Sequence, residues 1–85
     1  MTEDEDAIID ALALAVERYL DQRPDASDTV DGIRQWWLPD HRDYATRCRV
    51  QAALDRLVRR GVVRVFRTVG GGVVYGRTPS AARER

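Results

Sequence analysis

The fold is decided by residues 46–63, which read TRCRVQAALDRLVRRGVV. Apolar residues recur there at steps of three and four, which is the spacing of an amphipathic helix. They are Val50, Ala53, Leu54, Leu57 and Val58. Thr46 suits the N-cap of this helix, and Asp43 is an alternative cap that would start it a turn earlier. Gly61 follows the apolar stripe and predicts a left-handed helix end, so we expect a helix over residues 46–60.

Beyond Gly61 the pattern changes from helical to extended. Residues 62–68 (VVRVFRT) and 73–78 (VVYGRT) are rich in β-branched and aromatic side chains, as strands are. The glycines at 70–72 separate the two runs and predict a hairpin turn. This glycine run has neither the lysine nor the following helix of a phosphate-binding loop.

A long helix is predicted near the start of the chain. Apolar residues recur at helical steps between Ile8 and Leu20, and Pro24 bounds the segment. Thr2 and Glu5 have the spacing of a capping box. These features predict a first helix over residues 5–22.

A second, shorter helix is predicted before Pro39. Ser27 or Asp28 can cap it, and residues 30, 33 and 37 then share one face. Trp36 is adjacent to Trp37 and must point elsewhere, against the first helix or at the edge of the domain. Residues 40–45 are polar and predict a turn.

The order of these elements predicts one α+β domain with three helices followed by a two-stranded antiparallel hairpin. A short extra strand can lie between the helices. The domain is expected to fill residues 5–78, with an acidic N-terminal cap at 1–4 and a flexible tail at 79–85.

The net charge of zero hides an asymmetry between the two halves of the chain. Residues 1–40 contain 11 acids and three arginines, a net charge of −8, and residues 41–85 contain 11 arginines and three acids, a net charge of +8. Such a split indicates either a surface for a polyanion or two halves that neutralise each other across the fold.

Residues 46–63 resemble the third helix of the winged helix-turn-helix superfamily where it runs into the wing. Residues 28–38 (DTVDGIRQWWL) resemble the second helix of small bacterial members, and the resemblance covers residues 5–78. It implies a transcription regulator that places its third helix in the major groove of double-stranded DNA. The implied base-reading residues are Arg47, Arg49 and Gln51. The implied backbone contacts are Thr46, Arg42 and the wing arginines Arg64, Arg67 and Arg77.

The competing interpretation is a winged-helix module that binds protein and not DNA. The acidic first helix and the paired tryptophans favour it, because a second copy or another protein can bind through helix one or Trp36. Arg56 and Arg59 lie further along the third helix and are expected to pair with the first helix or with Asp55.

No catalytic, metal or cofactor site is predicted. His41 has no second histidine or cysteine at ligand spacing, and Cys48 is the only cysteine. The longest apolar run is too short to cross a membrane, and the first residues are acidic, unlike a signal peptide. We therefore expect a cytoplasmic protein that is not an enzyme.

Overall fold

The structure, a computed structural model, describes residues 2–78. The elements in chain order are α1 (Thr2–Gln22), β1 (Ser27–Asp28), α2 (Val30–Gly32), a π-helical turn (Ile33–Trp37) that continues α2, a 3₁₀ turn (Pro39–His41), α3 (Arg47–Arg59), β2 (Val63–Arg67) and β3 (Val73–Arg77). The fold is therefore α+β, with three helices and a three-stranded antiparallel sheet in the order β1-β3-β2.

Helix α1 begins at Thr2, three residues before the predicted start. Residues 2–4, expected to form a separate acidic cap, therefore belong to the helix. A capping role of the Thr2 side chain and the predicted tail at 79–85 lie outside the described part of the chain. The apolar stripe of α1 faces inward and buries four large or β-branched residues, Ile9, Leu12, Val16 and Leu20.

Helix α2 is capped by Thr29, so the predicted caps Ser27 and Asp28 are wrong. The Thr29 hydroxyl accepts a hydrogen bond from the Gly32 N–H at 3.1 Å. Ser27 and Asp28 instead pair with β3 as the short strand β1, and this pairing holds their backbone extended. The extra strand that the sequence allowed is thus present, and it delays the start of the helix.

The two tryptophans both lie in the π-helical turn, but their side chains have opposite environments. Trp37 is buried together with Val30 and Ile33, as their spacing predicts. Its ring stacks on Tyr19 of α1, with the centroids 4.5 Å apart and the planes 11° from parallel. Trp36 points outward and is 66% exposed.

Helix α3 begins and ends as its sequence predicts. The Thr46 hydroxyl accepts from the Arg49 N–H at 3.2 Å, so Thr46 is the cap and Asp43 is not. Gly61 has a φ of +77° and ends the helix. The α3 residues in the core are Val50, Ala53, Leu54 and Leu57. Val58 is exposed, so its assignment to the core is wrong.

Strands β2 and β3 form the predicted hairpin, and Val65 lies opposite Tyr75. Gly71 has a φ of +92° in the connecting turn, where the Thr68 hydroxyl accepts from the Gly72 N–H at 3.1 Å. Because β1 pairs with β3, the hairpin is attached to the segment between α1 and α2 as well as to α3.

Candidate nucleic-acid interface

Arg49 does not project into solvent from the start of α3. Its side chain is 26% exposed and forms two parallel hydrogen bonds to Glu5, from Nε to Oε2 and from Nη2 to Oε1, both at 3.0 Å. Nη1 donates to the Tyr44 carbonyl at 3.1 Å. All three guanidinium nitrogens therefore have partners within the protein, so the expectation that Arg49 is exposed is wrong, and its reading of bases stays a prediction.

The electrostatics of the Arg49 pair agree with its geometry. The hydrogen bonds from Arg49 lower the pKa of Glu5 below its ordinary value of 4.5. The same hydrogen bonds raise the pKa of Arg49. Each partner thus stabilises the charged form of the other, which is the behaviour of a bidentate arginine–carboxylate pair.

Arg47 is exposed as expected, but an acid of α2 holds it. Its Nη1 lies 2.8 Å from Oδ2 and 3.0 Å from Oδ1 of Asp31. Both side chains are mostly solvent-accessible, so the pair is worth about 0–1 kcal/mol and can exchange for another contact. As it stands, the pair places a carboxylate beside the guanidinium that was expected to meet DNA.

Gln51 faces the hairpin and not the solvent. Its amide Nε2 donates to the Tyr75 hydroxyl at 2.9 Å and to Asp55 Oδ1 at 3.1 Å. The amide nitrogen that would donate to adenine N7 is therefore already used inside the protein. Asp55 is exposed on the outer face of α3, where its carboxylate would repel phosphate.

The remaining predicted contacts are on three other segments. Arg42 is exposed and donates to the Gln35 carbonyl at 3.1 Å. Arg64 and Arg67 are exposed on β2, and the Arg64 guanidinium lies 5.3 Å from the centre of the Phe66 ring. Arg77 is half-buried, 3.8 Å from an Asp21 carboxylate oxygen. Thr46, also predicted to bind phosphate, uses its hydroxyl to cap α3.

An array of ion pairs covers one side of α3 with acids from α1. Arg49 pairs with Glu5, Arg56 pairs with both Asp6 and Asp10, and Arg60 lies 4.0 Å from Glu17. The order of these pairs shows that the two helices run side by side in the same direction. The prediction that Arg56 pairs with the first helix is confirmed, and the acids raise the pKa of Arg56.

Part of the charge asymmetry of the sequence is an internal pairing between the two halves of the chain. Within residues 2–78, all six ion pairs join an acid of the first 40 residues to an arginine of the rest. In that same range Arg42, Arg59, Arg64 and Arg67 make no ion pair; Arg64 and Arg67 share β2, whereas Arg42 lies before α3 and Arg59 at its end. Acids therefore interrupt the positive charge along α3 that the DNA-binding interpretation requires.

A second surface lies between α1 and the π-helical turn and exposes the large apolar side chains of Leu14 and Trp36. We call it the Trp36 groove. It has a volume of about 450 Å³, and its apolar lining residues include Ala11, Leu14, Ala15, Trp36 and Pro39. Leu14 is 47% exposed. The adjacent tryptophans were the signal for this surface in the sequence, but its partner Leu14 was not singled out.

Other classes of site are not found in the described residues. No three side chains of histidine, cysteine, aspartate or glutamate within residues 2–78 converge as metal ligands do. Among those residues, no helix has the length and apolarity needed to cross a membrane. Comparison of the chain with protein-family models, with curated proteins and with solved structures finds no match.

Proposed function

We propose that this chain is a winged-helix domain whose function is to bind protein and not to read DNA with α3. The order helix, short strand, helix, helix, hairpin supports the winged-helix assignment, with the β2–β3 hairpin as the wing. The resemblance of residues 46–63 to a recognition helix running into a wing supports it independently.

One observation supports a protein partner over DNA. The two arginines at the start of α3 form ion pairs within the protein, whereas the large aromatic side chain of Trp36 is exposed to solvent. Arg49 is bound by Glu5 and Arg47 by Asp31. Trp36 is 66% exposed beside Leu14. Tryptophan is enriched among residues that dominate protein interfaces, and charged residues are depleted from the centres of such interfaces.

Site-specific cross-linking in cells tests the proposal. A photoreactive phenylalanine analogue at position 36 is expected to give protein adducts upon irradiation, because the side chain sits in the binding surface. The same analogue at Arg59, which is exposed on α3, is the matched control and is expected to give few. Equal adduct yields at the two positions, or adducts with DNA at Arg59, would refute the proposal.

DNA binding is the second candidate, and the arginines outside the ion pairs favour it. Arg42, Arg59, Arg64 and Arg67 are all exposed, and the Arg47–Asp31 pair is weak enough to open. Four phosphate contacts would give a log–log salt slope of about −3.6, so raising salt fourfold would weaken binding roughly 100-fold.

Fluorescence anisotropy with a labelled mixed-sequence duplex separates the two candidates. The protein-binding proposal predicts that the duplex does not bind, even at low salt, through the exposed arginines of the hairpin. Binding with the steep salt slope, lost in the double variant Arg64→Ala/Arg67→Ala and kept in the Arg23→Ala control, would favour DNA instead.

A further inference from the structure

The solvent-facing side of α1 carries a regular stripe. Asp4, Ala7, Ala11, Leu14 and Arg18 are all exposed and follow one another at steps of three, four, three and four residues. Residues at these steps lie one above the other on a helix, so they form a single line along its surface. We call this line the α1 stripe.

The charges of the α1 stripe are placed symmetrically about its centre. Asp4 and Arg18 are each seven residues from Ala11, or about 10 Å along the helix axis. Between these charges the stripe contains only alanine and leucine. Within residues 2–78, neither Asp4 nor Arg18 forms an ion pair.

Three other acids of α1 near the stripe lie against arginines of residues 56–60. Asp6 and Asp10 pair with Arg56, and Glu17 lies 4.0 Å from Arg60. These carboxylates are therefore directed toward α3, and since Asp6 and Asp10 share one arginine, a net negative charge remains beside the N-terminal half of the stripe. The α1 stripe therefore offers a partner an apolar centre between one negatively charged end and one positively charged end.

We propose that the partner is a second copy of this chain, whose α1 stripe packs antiparallel on the first across a twofold axis near Ala11. This inference rests on the proposed function and names the partner of the same surface. The antiparallel arrangement brings Asp4 of each copy opposite Arg18 of the other. A parallel arrangement would instead bring like charges together, and a twofold axis makes both contacts equivalent.

The side chains at the centre of the stripe suit a close helix pair. Alanines at positions 7 and 11 leave room for a second helix, since the distance between packed helices depends on the side chains at the contact. Leu14 of each copy then lies over the alanines of the other. The antiparallel pair thus covers an exposed leucine that the fold itself leaves in solvent.

Trp36 extends this surface on one side. It lines the Trp36 groove together with Ala11, Leu14 and Arg18, the C-terminal half of the stripe. In the antiparallel pair that half faces residues 4–11 of the second copy. A tryptophan has about 250 Å² to bury, so an exposure of 66% leaves roughly 165 Å² per copy for the interface.

Charge reversal tests the arrangement in the full chain. Sedimentation equilibrium is expected to show a dimer, weakened at least tenfold by Arg18→Asp and likewise by Asp4→Arg. The double reversal Asp4→Arg/Arg18→Asp restores the complementary ends and should return the dimer to within about threefold of the original. Arg67→Asp, at an exposed position of β2, is the matched control with the same charge change away from the stripe, and circular dichroism checks that each variant folds.

Disulfide trapping tests the position of the axis. In a Cys48→Ser background, Ala11→Cys lies on the axis and is expected to cross-link two copies upon oxidation. Ala7→Cys is expected not to do so, because the antiparallel arrangement separates the two copies of residue 7 by about 12 Å along the helix. A parallel pair would cross-link at both positions.

Three results would overturn the dimer: a monomer at high protein concentration, an Arg18→Asp variant that behaves like Arg67→Asp, or cross-linking at position 7. A monomer that binds another protein through Trp36 would refute only the choice of partner. A dimer that binds duplex DNA through α3 would instead refute the proposed function.

Discussion

The two adjacent tryptophans give a sharp prediction about folding stability. Trp36→Ala is expected to cost little and Trp37→Ala to cost much, although the two residues are neighbours in the chain. Trp36 is 66% exposed and Trp37 is 6% exposed. The comparison therefore measures whether Trp36 contributes to the fold or is left for an intermolecular contact.

The magnitudes follow from the buried areas. A tryptophan buries up to about 250 Å², so Trp36 has roughly 85 Å² buried, which corresponds to at most about 2 kcal/mol at ~25 cal/mol per Å². Trp37 is almost fully enclosed, and its truncation should cost about 3–5 kcal/mol. Loss of the stack on Tyr19 contributes to that cost, since such pairs are worth about 0.5–1.5 kcal/mol.

Urea denaturation followed by circular dichroism measures both variants. The experiment is run at protein concentrations low enough to keep the chain monomeric, so that intermolecular contacts do not contribute. The m-value should stay constant while the midpoint shifts slightly for Trp36→Ala and strongly for Trp37→Ala. Equal losses in the two variants would mean that Trp36 packs within the monomer, and the reasoning about the Trp36 groove would fail.

Three further predictions concern single contacts. Because Arg49 lowers the pKa of Glu5, the ion pair stabilises the fold above pH 4.5, and this contribution is lost as the pH falls through the lowered pKa. The melting temperatures of the original chain and of Glu5→Gln should therefore differ at pH 7 and converge in acid. A difference that stays constant with pH would contradict this. Gly61→Ala should destabilise by about 1–2 kcal/mol in urea denaturation because φ is positive there, while Gly70→Ala, whose added Cβ meets nothing either, should change stability by less than about 0.5 kcal/mol. Tyr75→Phe removes the hydrogen bond to α3 and should cost about 0.5–1.5 kcal/mol in the same assay; no loss would mean that this bond is not formed in solution.

Local patterns in the sequence predicted most of the fold. The apolar steps of α3, the cap at Thr46 and the end at Gly61 all depend on residues close in the chain, and all three are present. The cap of α2 was misplaced because β1 pairs with β3, which lies almost 50 residues further along. A pairing at that distance leaves no local signal at Ser27 or Asp28.

The candidate site was harder to predict than the fold for the same reason. Helical periodicity places Arg47 and Arg49 on the polar side of α3, but it does not say which acids face them. Arg49 meets Glu5 across 44 residues, and Arg47 meets Asp31 across 16. Neutralisation between the two halves was one of the two interpretations of the charge split. Which arginine pairs with which acid depends on the relative placement of α1, α2 and α3.

The ion pairs between the two halves also bear on how the chain folds as it is synthesised. The first 40 residues carry a net charge of −8 and, within the described part of the chain, form no ion pair among themselves. When this half leaves the ribosome alone, its carboxylates repel one another and α1 has no apolar face to pack on. We therefore expect a fragment that contains only the N-terminal half to stay unstructured. It should fold when the arginine-rich half is added, even if that half is added as a separate peptide.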